Sequence, residues 1–82
     1  MAVRLVLPSG VVVPVIGFRR VPQSVRDLEL RRKTLTLAGL VCGLGPVELE
    51  NDRGQRMTVM IVEARRGQVD VDFDPGAVFA WA

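Results

Sequence analysis

The sequence has no histidine and no tyrosine, and a single cysteine and a single tryptophan. Without histidine there is no Ser-His or Cys-His nucleophile, no imidazole base and no histidine metal ligand. Serine occurs only at positions 9 and 24, both in turn-like surroundings. Cys42, standing alone, cannot make an intrachain disulfide or a zinc ribbon, so no secreted disulfide scaffold is implied. In the run Leu40-Val41-Cys42-Gly43 it reads as a small buried hydrophobe. Gly43-Leu44-Gly45 lacks the further glycine and the lysine of a phosphate loop, and reads as a turn. No apolar run approaches the roughly 20 residues of a membrane helix. The most apolar stretch, residues 11–18, is interrupted by Pro14 and Gly17. The start of the chain shows no clear cleavable signal pattern. The expectation is therefore a protein made and retained in the cytoplasm or assembled there, not secreted by a signal peptide, with no membrane partner, no cofactor and no enzymatic activity.

Apolar residues, by contrast, are abundant. They make up 49% of 82 residues, and the mean hydropathy is +0.29. A domain of this size buries only about 60% of the surface its unfolded chain exposes. The surplus points to surface covered by another subunit.

The hydrophobic pattern is that of strands. Residues 3–7 form a short apolar run ended by the turn cluster Pro8-Ser9-Gly10, and residues 11–18 follow as a second strand. Pro14 cannot donate to a ladder, so that strand lies at an edge or carries a bulge. Residues 19–26 read as a loop around Pro22. Residues 24–33 are ambiguous. Ser24 and Asp27 have capping-box spacing, and Asp27–Arg31 and Glu29–Lys33 suit a helix. Yet Asp27-Leu28-Glu29-Leu30-Arg31 alternates as a strand does, and strand is preferred. Leu28 and Leu30 are out of phase with Leu35 and Leu37, which demands a bulge or turn near Arg31-Arg32-Lys33.

Residues 34–41 are expected as a strand with Leu35, Leu37 and Val41 on one face, and 47–50 as a short one. Asn51-Asp52-Arg53-Gly54 is a strong turn signal. Residues 55–64 form the most regular strand, with Met57, Val59 and Ile61 on one face and Met60, Val62 and Ala64 on the other, as in a central strand. After Arg66-Gly67, the residues Val69, Val71 and Phe73 alternate with Asp70 and Asp72. Asp74-Pro75-Gly76 turns the chain again, and residues 77–81 are expected as a final strand that sets Phe79 and Trp81 into one apolar groove. The fold class is all-β: a single domain over residues 1–82, a small antiparallel barrel or sandwich of seven or eight short strands, with a short helix at 24–33 as the variant.

Charge is segregated along the sequence. Arg19, Arg20, Arg26, Arg31, Arg32 and Lys33 crowd one segment, opposed only by Asp27 and Glu29, while the whole chain carries a net +2. The segment reads as a solvated face, as a patch meeting an acidic neighbour such as Asp70–Asp74 of another copy, or as a nucleic-acid contact. Against the last, aromatic residues are few and only Phe18 borders the basic segment. Asp70, Asp72 and Asp74 have the opening spacing of a calcium loop. The sixth loop position is Pro75 rather than glycine and the twelfth is Trp81 rather than glutamate, so a solvated polar face is the preferred reading.

The stretch Arg32-Lys33-Thr34-Leu35-Thr36-Leu37-Ala38-Gly39-Leu40-Val41, followed by Gly45-Pro46-Val47-Glu48-Leu49-Glu50-Asn51-Asp52-Arg53-Gly54-Gln55-Arg56-Met57-Thr58-Val59, resembles the β modules of tailed-phage tail and neck proteins. The resemblance covers about half the chain and carries over no functional residues. It implies a virion structural protein that works as one of many copies in a ring. The sequence thus leads to an assembly module that binds copies of itself or larger virion proteins. The interaction residues expected are Arg19, Arg20, Arg31, Arg32, Lys33, Met57, Met60, Phe79 and Trp81. The second reading is a small β-barrel that binds nucleic acid through its arginine-rich segment.

Overall fold

The computed structural model describes residues 2–20 and 31–81. Among these, six strands form one closed antiparallel barrel. They are β1 (Val3–Val6), β2 (Val12–Arg20), β3 (Arg32–Leu37), β4 (Gly45–Asn51), β5 (Arg56–Arg65) and β6 (Gln68–Asp72). Their order around the barrel is β1-β2-β3-β6-β5-β4, and β1 pairs with β4 to close it. The all-β barrel class agrees with the sequence. The described strands number six rather than seven or eight, because residues 77–81 run outside the ladder and 27–30 lie outside the described residues; the strand expected over 34–41 ends at Leu37. Residues 21–30, where the sequence left helix and strand open, lie outside the described residues.

Alternation builds the core. Leu5 faces Val13 on one side and Leu49 on the other. Leu49 faces Met57, Val47 faces Val59, Ile61 faces Val71, and Leu35 faces Val69. All ten are buried, and Leu5, Leu35, Leu49, Val69 and Val71 are fully so. Burying each such side chain contributes about 1.5–3 kcal/mol, which is what holds so short a ladder closed.

Two bulges reset the alternation. One falls between Val15 and Gly17 in β2, two residues after Pro14. The Pro14 carbonyl accepts from the Ala38 amide at 3.0 Å. The proline nitrogen faces that same side, beyond the last residue of β3, where no donor is required. The other bulge lies between Ile61 and Glu63 in β5. Strict alternation from Ile61 would turn Glu63 inward. The extra residue sends Glu63 out and brings Ala64 opposite Val69, against the core.

The turns follow the sequence. Gly54 closes the turn after β4 with its amide on the Asn51 carbonyl at 3.1 Å and φ +74°. Gly67 closes the two-residue turn between β5 and β6, also at φ +74°. Any side chain at these two positions would strain the backbone.

Two expectations fail outright. Cys42 is exposed, not a buried hydrophobe. The chain leaves the ladder after Leu37, and within Leu40-Val41-Cys42 only Val41 turns inward. Residues 77–81 are not a strand. They are nonetheless held against the barrel, by means described next.

Candidate functional site

The barrel has two ends. At one lie the β1–β2 turn and the 38–44 loop. At the other lie the β4–β5 turn, the start of β3 and residues 73–81. Between them run two faces of charged residues and one apolar strip.

The charged faces neutralise themselves. Across β3 and β6, Arg32 donates to Asp72 through Nε at 2.5 Å and Nη2 at 2.9 Å. Asp70 accepts from Thr34 Oγ1 at 2.7 Å and from both terminal nitrogens of Arg65. These partners hold both carboxyls below the usual carboxylate range: Asp70 chiefly through Arg65, then Thr34, and Asp72 chiefly through Arg32. On the β1–β4–β5 face, Arg4 reaches Glu50 at 2.6 Å and Asp52 at 3.2 Å, while Arg56 reaches Glu50 and Glu48. The Arg4 guanidinium depresses the Glu50 carboxyl, and the Ala2 amide is the main cause of the same shift at Asp52.

The apolar strip runs along the outer face of β2. Val13 and Val15 point to the barrel interior, so Val12, Pro14 and Ile16 point out. All three are exposed, Ile16 to 67%. The hydrogen bond from Ala38 to Pro14 lays the 38–44 loop alongside, with Leu40 and Leu44 exposed to 66% and 69%. Leu40, Cys42 and Leu44 line an open groove of about 540 Å³ with Leu7, Pro8 and Pro46.

At the opposite end, residues 78–81 lie across the barrel as a strap. Asn51 is the last residue of β4 and stands opposite Val3, so its side chain turns inward and is 1% exposed. Its Nδ2 donates to the Ala80 carbonyl at 3.0 Å and to Gln55 Oε1 at 2.9 Å, and Gln55 Oε1 accepts from the Ala80 amide at 2.8 Å. Two side chains thus satisfy both backbone groups of one strap residue, as a neighbouring strand would. Asn51 Oδ1 accepts from the Arg53 and Gln55 amides, so the same side chain also shapes its turn.

Trp81 then sits among three rings, with centroids 5.5 Å from Phe18, 5.1 Å from Phe73 and 5.3 Å from Phe79. The last two contacts are edge-on, a favoured geometry for aromatic pairs. Lys33, paired with Val71 and therefore on the inward parity of β3, places Nζ over Trp81 at 5.1 Å, Phe73 at 5.5 Å and Phe18 at 5.8 Å. Its ammonium joins the ring cluster by cation–π attraction.

The residues singled out by sequence therefore scatter. Arg19 and Arg31 are exposed. Arg20 ends β2 opposite Lys33. Arg32 is committed to Asp72, so this part of the basic segment meets the acidic strip within its own chain. Met57 is removed from the surface, because it stands opposite Leu49 and shares its inward parity. Met60 is exposed on the outer face. Phe79 and Trp81 come together at the strap. Sequence reasoning missed the Asn51–Gln55 clip, although Val47, Leu49 and Asn51 share one parity and so place an asparagine in the core. It also passed over Val12, Pro14 and Ile16.

Comparison of the chain with family models, curated proteins and solved structures finds no match.

Proposed function

We propose that this barrel is a non-enzymatic assembly module that binds copies of itself or a larger protein, as a tail or head–tail component of a phage particle would. One observation carries the reading: Val12, Pro14 and Ile16 stand exposed on β2, and Leu40 and Leu44 stand exposed on the loop whose Ala38 amide bonds to the Pro14 carbonyl. Contiguous apolar patches of more than a few hundred Å² are uncommon on monomers and mark interaction sites. Covering such a patch contributes roughly 25 cal/mol per Å². The charged residues on either side are paired within the chain, so they bound the patch with a polar rim rather than compete for it.

Sedimentation velocity of the purified chain at tens of micromolar tests this, with the concentration set by the affinity range of modest interfaces. The expected result is species heavier than the monomer, lost in Ile16→Glu and Leu40→Glu variants whose circular dichroism is unchanged. A monomer at every concentration, with no binding of an apolar dye, would sink the proposal.

A further inference from the structure

We infer that the cleft closed by residues 78–81 also accepts that segment from a second copy, so that neighbouring subunits exchange straps. The inference rests on the assembly reading and names one of its contacts.

Three observations lead to it. First, the strap is not part of the barrel. Closure is made by β1 on β4, with Val3 opposite Asn51, and the ladder is complete without residues 77–81. Second, the strap is attached by a short set of interactions at one spot. The Asn51 and Gln55 side chains hold the two backbone groups of Ala80, and Phe18, Phe73, Phe79 and Lys33 surround Trp81. Third, the connection is exposed. Residues 74–78 all lie at the surface, and their described hydrogen bonds are internal to the turn, from the Ala77 amide to the Asp74 carbonyl and from the Gly76 amide to Asp74 Oδ1.

A segment with its own binding site and an exposed connection satisfies the same contacts in its own barrel or in an identical one. That is the condition for exchange between protomers. The cleft holds both backbone groups of a small residue, Ala80, at the clip and a large aromatic, Trp81, next to it. A second copy presents that sequence by construction. Reciprocal exchange gives a closed pair. One-directional exchange gives a ring or an open chain, according to the rotation between copies. In a dilute monomer the tethered strap wins, because tethering supplies an effective concentration on the order of millimolar. In an array of many copies the neighbour's strap competes on equal terms.

The test separates donor from acceptor. Trp81→Ala leaves the clip intact and removes the only tryptophan, so it is an acceptor silent in tryptophan fluorescence. Gln55→Ala weakens the clip and keeps Trp81, so it is a donor. The two are mixed at concentrations on the order of 0.1–1 mM, where transfer can compete with tethering. The expected result is a blue shift of donor emission on mixing, a severalfold loss of iodide quenching, and tryptophan sedimenting in a species heavier than the monomer. If both variants show the wild-type circular dichroism and the mixture behaves as the sum of its parts, the exchange is refuted.

Should either variant fail to fold, a labelled peptide of residues 75–82 is titrated into the wild-type chain. Saturable binding that unlabelled peptide reverses supports the exchange, and no change in anisotropy up to millimolar protein overturns it. Wild-type oligomers without strap transfer would refute the exchange and leave the assembly reading intact. Strap-linked species heavier than the monomer that persist undiminished in Ile16→Glu would uphold the exchange and refute the apolar strip as the assembly contact.

Discussion

Arg32 and Asp72 stand directly opposite one another on β3 and β6, and the guanidinium grips the carboxylate through two nitrogens. The pair joins a cation from the basic stretch of the sequence to an anion from its acidic strip. Asp70, two pairs further along, is held by Thr34 and Arg65. Both carboxyls therefore titrate below the unfolded value of about 3.9. Between the folded and unfolded pKa values the unfolded chain binds more protons, so stability rises with pH there. The contribution is complete above the unfolded pKa and is lost as pH falls through the folded one. Thermal unfolding should show a constant midpoint from pH 7 to about 5 and a fall below pH 4. Arg32→Ala should cost about 0.5–1 kcal/mol at pH 7, a modest figure because the pair is partly solvated. The variant should approach the wild type in acid. An equal deficit at pH 7 and pH 3 would mean that the arginine acts by packing alone.

Asn51→Ala should be among the most damaging single polar substitutions. It removes the acceptor for the Arg53 and Gln55 amides and the donor to Ala80 in one step. Leaving buried groups unsatisfied costs about 1–3 kcal/mol each, and the shared turn ties these losses together. Urea unfolding followed by circular dichroism measures the loss. A variant within 0.5 kcal/mol of wild type, about the scatter of ordinary surface substitutions, would show that the clip carries little of the stability.

Cys42 should react with a maleimide in the native state, since its side chain is exposed in the 38–44 loop. It lines the same groove as Leu40 and Leu44. A bulky adduct there should reduce self-association while leaving the circular dichroism unchanged. Native protein that resists labelling at every concentration contradicts the loop placement, and labelled protein that assembles normally takes the groove out of the interface.

Nucleic acid should not bind tightly at physiological salt. Arg32 is engaged by Asp72, and Lys33 reaches over the rings of the strap. Binding through the remaining phosphate contacts would lose orders of magnitude between low and moderate salt. A sub-micromolar complex that survives about 0.2 M salt, and that weakens in Arg19→Ala with Arg31→Ala, would favour the nucleic-acid reading instead.

Much of the barrel was legible in the sequence. Pro8-Ser9-Gly10 and Asn51-Asp52-Arg53-Gly54 announce their turns, and the inward faces of β5 and β6 follow from Met57, Val59, Ile61, Val69 and Val71. The bulges were only half legible. Pro14 signalled the one in β2, but nothing in Ile61-Val62-Glu63-Ala64 shows which residue is the extra one. Register against β6 decides that, through a partner remote in sequence. The strap misled for a similar reason. Val78-Phe79-Ala80-Trp81 alternates as a strand does, yet its backbone partners are the Asn51 and Gln55 side chains, which no periodicity reveals. The apolar strip on β2 was visible as composition. Its exposure was not, because both faces of residues 11–18 are apolar and only the pairing of Val13 with Leu5 selects the buried one.

Closure of β1 onto β4 has a consequence for life at high density. Subunits packed side by side are exposed to strand templating, in which one sheet's unpaired amides seed fibres from its neighbours. Every strand of this barrel is already flanked by two others. The ladder open to a neighbour's strand is therefore limited to short stretches, such as the end of β2 beyond Val15 on its β1 side and the end of β5 beyond Ile61 on its β4 side, which favours ordered packing over fibrous aggregation.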